Sequence, residues 1–96
     1  MNADRSIIDN LEPFVWNNDE SVGYEVTIEM INEVVGLYVA LSESQRDSAP
    51  PKVLAQWSAE RRKWARRIDD LNPTDHAEVE RIQQECRELI ERLRHT

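Results

Sequence analysis

Two glycines and a single cysteine are all that 96 residues contain of those types, and each scarcity excludes something. Gly23 and Gly36 stand far apart, so no glycine-rich phosphate loop is encoded, and few tight turns are available. Cys86 has no intrachain partner, so the chain has no disulfide framework and suits a reducing compartment. No HExxH or CxxC motif occurs. No apolar run approaches the roughly 18–20 residues of a membrane span. Asp4, Arg5, Asp9 and Glu12 break any signal-like apolar stretch. The expectation is a cytoplasmic chain with no membrane partner. Basic residues are also missing where they would be usual: no lysine or arginine falls between Glu20 and Gln45.

What is present is ordinary globular composition, 40% hydrophobic and 32% charged. The length fits one domain with one modest core. The net charge of −7 is unevenly distributed. Residues 1–49 hold ten acids against two bases, giving −8, and residues 50–96 hold nine against ten, giving +1. An acidic half repels nucleic acid and anionic lipid and suits a partner with a basic cleft.

Breaks fall at Pro13, at Ser48-Ala49-Pro50-Pro51 and at Asn72-Pro73-Thr74. They set off an N-terminal arm, residues 1–19, from a domain at 20–96. In the arm, Ser6 followed by Asp9 predicts a short helix with Ile7, Ile8 and Leu11 on one edge, and an apolar cluster, Phe14-Val15-Trp16, follows Pro13. The next segment, about 21–44, is ambiguous at its start. Val22, Tyr24, Val26, Ile28 and Met30 alternate with less apolar residues, the period of a strand. Helical spacing accounts for more of it: Tyr24, Ile28, Ile31, Val35 and Tyr38 form one stripe, and Met30, Val34, Leu37 and Leu41 a second. A lone strand would also lack partners. The third segment, about 51–71, opens on prolines and carries Leu54, Trp57, Arg61, Trp64, Ile68 and Leu71 at heptad spacing. The fourth, about 73–95, repeats that spacing with Val79, Ile82, Cys86, Leu89 and Leu93. Asn72 or Thr74 is its expected cap, with Pro73 in the first helical position. The short Asn-Pro turn predicts an antiparallel hairpin of the last two helices, covered by the Tyr24–Leu41 helix. The fold class is all-α, a three-helix bundle with an N-terminal arm containing a short helix.

Catalysis needs groups that converge in a dry pocket, and the spacing offers none. Cys86 lies on an apolar seam, as a packed core residue does. His76 and Glu80 share a helix face but lack a third ligand. The chain is therefore expected to be non-catalytic, with no cofactor and no metal. Residues 61–67, Arg-Arg-Lys-Trp-Ala-Arg-Arg, are the strongest basic cluster. On a helix, Arg62, Lys63, Arg66 and Arg67 spread over about 140°, which dilutes a phosphate-tracking surface. Arg61 sits in the seam and is expected to play a structural role. Glu25, Glu29 and Glu33 form an i, i+4, i+8 acidic stripe. The stripe either pairs with the basic third segment or faces a basic partner. The arm adds Phe14, Val15 and Trp16, which either act as interface anchors or fold back to cover the helix itself. Either way, excess apolar surface beside an acidic stripe is what a protein-binding module needs.

Tyr24-Glu25 through Glu29, then Ile31-Asn32-Glu33-Val34-Val35, opening a three-helix protein of this size, resembles the epsilon-type antitoxins. The turn Asp69-Asp70-Leu71-Asn72-Pro73-Thr74-Asp75 before an amphipathic helix fits the same family, and the resemblance covers roughly residues 22–93. It rests on size, helix order and common residue types, with no diagnostic motif. It implies an inhibitor of a zeta-type toxin, a P-loop kinase, that sterically blocks ATP entry. On that resemblance Glu25, Glu29 and Glu33, with Tyr24 and Trp16, would contact the partner; the arm is a departure that does not map onto the family pattern and leaves open which helix enters the cleft. Two other readings stand beside it: a nucleic-acid-binding regulator using the basic helix 61–67, and a self-assembling structural module that forms a homodimer.

Overall fold

A computed structural model describes residues 15–96, with side chains from Val22 onward. The expected short helix at Ser6, the rest of the arm to Phe14, and the side chain of Trp16 lie outside the described residues. Three helices follow: α1 at Val15–Ser44, α2 at Pro51–Asp69 and α3 at His76–Arg94. No strand occurs among the described residues, so the all-α three-helix bundle is the fold.

The alternating pattern at 22–30 is helical, and helix geometry explains why it looked like a strand. Two residues along a helix rotate about 200°, so alternate residues fall on two opposite flanks. Tyr24 and Ile28 lie on one flank, and Val22, Val26 and Met30 on the other. Between them runs the line that is sealed from solvent: Thr27, Ile31, Val34 and Tyr38, at spacings of four, three and four. Tyr24 and Ile28 on one flank and Met30 on the other pack against the core, while Val22 and Val26 grade out onto the exposed side.

α1 starts at Val15, several residues before the expected opening near Ser21, so the arm boundary at residue 19 falls inside a helix. Asn17, Asn18 and Asp19 are weak helix formers, but each costs only about half a kcal/mol, and no proline or glycine intervenes before Gly23. Elongation from the strong segment behind them adds one hydrogen bond per residue fixed. At its other end α1 unwinds through turns at 45–48, and Pro50, with ψ of 146°, redirects the chain into Pro51 at the start of α2.

α3 also begins later than expected. Asn72 accepts hydrogen bonds from the Thr74 amide (3.0 Å) and hydroxyl (2.8 Å), closing an Asx-type turn that keeps Pro73 and Thr74 out of the helix. Asp75 is the cap and accepts from the Glu78 amide at 3.2 Å. The five predicted seam residues, Val79, Ile82, Cys86, Leu89 and Leu93, are all buried.

The helices do not pack as a hairpin of α2 and α3 with a lid. α1 is the main partner of both, and α2 and α3 approach each other less closely. Gln83 reaches Thr27, and Arg94, further along α3, reaches Glu33, further along α1. α1 and α3 therefore run parallel. The Gln83 amide donates to the Thr27 hydroxyl at 2.8 Å and to the Gly23 carbonyl at 3.3 Å, while the Thr27 hydroxyl donates to the same carbonyl at 2.7 Å. This small network fixes the register of α3 on α1 where apolar contacts alone would allow sliding.

Two substitutions test this packing in urea. Thr27→Ala removes the hub of the network and a fully buried methyl, and is expected to cost about 1–3 kcal/mol. Gly36 is exposed, and a Cβ there would meet nothing within 4 Å. Gly36→Ala should stabilise the chain by about 0.5–1 kcal/mol. A shift of either midpoint in the opposite direction would contradict the packing.

Candidate protein-binding face

With α2 on one flank of α1 and α3 on the other, a third side of α1 remains in contact with neither. Glu25 and Glu29 stand on this outer side and are exposed. Neither makes an ion pair with any described residue. Glu33 does: its Oε2 lies 2.6 Å from Nη2 of Arg94, near the end of α3. The stripe therefore does not pair with the basic α2 segment, one of the two alternatives its sequence left open. One of its members is held by α3 and two are unengaged among the described residues.

Beside the acids lie exposed valines. Val22 is 49% exposed and Val26 40%, two of the three large hydrophobic residues most open to solvent among those described. At about 100° per residue, Val22, Val26 and Glu33 fall within about 40° of one another, and Glu29 adjoins them. Carbon and carboxylate thus alternate along one exposed edge. Tyr24 is different: it is half-buried and packs against the core, on the opposite flank from the valines. Of the residues assigned to partner binding from the sequence, Glu25 and Glu29 are open on the outer side, Glu33 is open but paired, and Tyr24 is turned into packing.

Sequence reasoning missed Val22 and Val26 as surface residues. Their signal was present, because they belong to neither helical stripe and appeared only in the strand-like alternation. The Arg94–Glu33 pair had no local signal, since its partners are 61 positions apart.

The basic cluster of α2 divides. Arg62, Lys63 and Arg66 are exposed, and Arg62 donates to the Ser58 hydroxyl at 2.8 Å. Arg67 is drawn inward: its guanidinium lies 4.3 Å over the Trp64 ring, and its Nη2 is 2.8 Å from Glu85 Oε2 on α3. That carboxylate oxygen is sealed from solvent and has no aligned hydrogen bond, so the Arg67 charge is what compensates it. Arg61 is half-buried and lines a shallow groove with Val39, Ser42, Glu43, Leu54 and Ser58.

A second open groove, about 270 Å³, separates α2 from α3. Tyr38, Trp64 and Leu89, all buried, form its apolar lining, and its walls carry charges of both signs, Glu60, Lys63, Glu88 and Arg92 among them. Burial pushes the Tyr38 phenol above its ordinary value, with Glu60 adding to the rise and Arg92 opposing it. The phenol thus stays protonated at neutral pH. Among the described residues, no group of three or more His, Cys, Asp and Glu side chains is placed to hold a metal ion. No described helix is long and apolar enough to cross a membrane.

Cys86 is fully buried in the core, and desolvation pushes its thiol up to about 11, with Glu85 adding and Arg67 and Arg87 opposing. Only the thiolate is an effective nucleophile, so the folded chain holds this sulfur inert. A disulfide reagent at pH 8 should label Cys86 only as fast as the chain unfolds. The linkage runs the same way: the folded thiol keeps its proton where the unfolded one loses it. Its contribution to stability is whole below about pH 9 and fades as pH rises towards about 11. Rapid labelling at pH 8 without denaturant would contradict this.

Comparison of the chain with protein families, curated proteins and solved structures returns no match.

Proposed function

We propose that this chain is a non-catalytic protein-binding inhibitor that docks through the outer side of α1 onto a basic cleft. The reading extends to an antitoxin that occludes the nucleotide site of a zeta-type P-loop kinase. One observation carries it: Glu25 and Glu29 project from the side of α1 that the bundle leaves uncovered, beside exposed Val22 and Val26. Like charges at i,i+4 destabilise a helix by a few tenths of a kcal/mol, and no cation among the described residues offsets this pair. A basic partner would.

The physics suits a kinase cleft. A site built to hold nucleotide phosphates is electropositive, through helix N-termini and basic side chains. An acidic helix is steered to such a cleft at long range and held there at short range by apolar contact. Steric exclusion of ATP then requires no chemistry from the inhibitor. The alternative of a nucleic-acid surface draws only on Arg62, Lys63 and Arg66, because Arg67 is engaged with Trp64 and Glu85.

The test is phosphoryl transfer by a purified zeta-type kinase, measured against increasing amounts of this chain. The wild-type chain should inhibit. Replacing Glu25, Glu29 and Glu33 together by lysine should weaken inhibition by about a hundredfold or more, since like charges then face each other, while circular dichroism stays unchanged. Undiminished inhibition by a folded triple variant would sink the assignment of this face.

A further inference from the structure

The geometry points to Arg94 as an intramolecular occupant of the partner-binding face, a built-in competitor for the cation that a partner would place on Glu33. This inference rests on the functional reading above and specifies how that face is regulated. Glu25, Glu29 and Glu33 are chemically alike and evenly spaced along one helix, yet only Glu33 has a guanidinium on it, at 2.6 Å. The contact comes from another helix, 61 positions away, so it is a product of the fold and not of helix periodicity. It is also an observation, separate from the stripe, that this edge of α1 accepts a guanidinium.

The contact is made to be exchanged. Both side chains are about half exposed, 58% for Arg94 and 43% for Glu33. An exposed ion pair of this kind shifts an equilibrium by no more than about fivefold. Arg94 is the last residue of α3 and the helix cap follows at His95, so its long side chain can swing away without disturbing the core. Its neighbour Leu93 stays buried and holds the backbone in place. A partner's arginine can therefore replace Arg94 at little cost. Until it does, Arg94 lowers the effective negative charge of the face and screens the end of it that borders α3. The valine edge and the two unengaged acids form the first contact surface, and Glu33 becomes available last.

Binding of a fluorescein-labelled penta-arginine peptide to the full chain, followed by anisotropy at low salt, tests this directly. Arg94→Gln should tighten binding about two- to fivefold. Arg87→Gln, which removes the same charge from an exposed site on the same helix, controls for net charge and should tighten it less. With Glu33→Gln already in place, adding Arg94→Gln should change nothing beyond that control. Equal tightening by Arg87→Gln and Arg94→Gln, or a gain that survives in the Glu33→Gln background, would overturn the competitor role. So would an Arg94→Gln chain that binds no better than wild type while Glu25→Gln and Glu29→Gln weaken binding; that outcome leaves the acidic face standing. If no form of the chain binds the peptide, or binding ignores Glu25 and Glu29, the acidic-face reading itself fails and the competitor falls with it.

Discussion

α1 has more apolar surface than either neighbouring helix can cover alone, and the rest of the molecule follows from how that surface is divided. Its sealed line of Thr27, Ile31, Val34 and Tyr38 sits between two flanks, one for each partner helix. Ile31 and Val34 are wholly buried, each contributing about 1.5–3 kcal/mol relative to exposure. α3 commits its whole heptad seam to the core, and α2 commits Trp64, with Trp57 and Ile68 packed beside it. Two helices converging on one from different sides necessarily leave that helix a third side open. The core and the uncovered face are thus consequences of the same geometry.

Most of the architecture was legible because amphipathic periodicity is a local property. The seam of α3 was readable residue by residue, and the proline-led start of α2 was marked by its own chemistry. The start of α3 was misplaced by competition between two local devices. Asn72 could cap a helix or close a turn, and it closes a turn, leaving the cap to Asp75. The apparent strand at 22–30 came from a different cause: residues two apart fall on opposite flanks of a helix. Of the five alternating residues, Tyr24, Ile28 and Met30 pack against the core while Val22 and Val26 stay exposed. Which helix would be central was not legible at all. Relative approach depends on side-chain fit between segments far apart in the chain, as with Gln83 on Thr27.

The same distinction governs the candidate face. That Glu25, Glu29 and Glu33 share a side of a helix follows from spacing alone. That Glu33 is engaged and its two neighbours are not depends on where α3 ends, which spacing cannot give. Val22 and Val26 stand outside both helical stripes in the sequence, and the packed bundle leaves them on the exposed edge. The face therefore combines charge that attracts at a distance with carbon that excludes water on contact, the two ingredients of a specific protein interface. The buried, protonated Cys86 thiol and the charge-compensated Arg67–Glu85 pair serve the integrity of the bundle.

The central claim is that the uncovered side of α1 is where a basic protein partner lands. Methyl NMR of the chain titrated with a purified zeta-type kinase tests it most directly, because Val22 and Val26 report on that side. Val53, on α2, and Ile90, on α3, are half-buried on the other two helices. The account predicts that the Val22 and Val26 methyl signals shift or broaden first, with Val53 and Ile90 unchanged. Perturbation that begins at Val53 and spares both α1 valines would place the partner elsewhere and contradict the account.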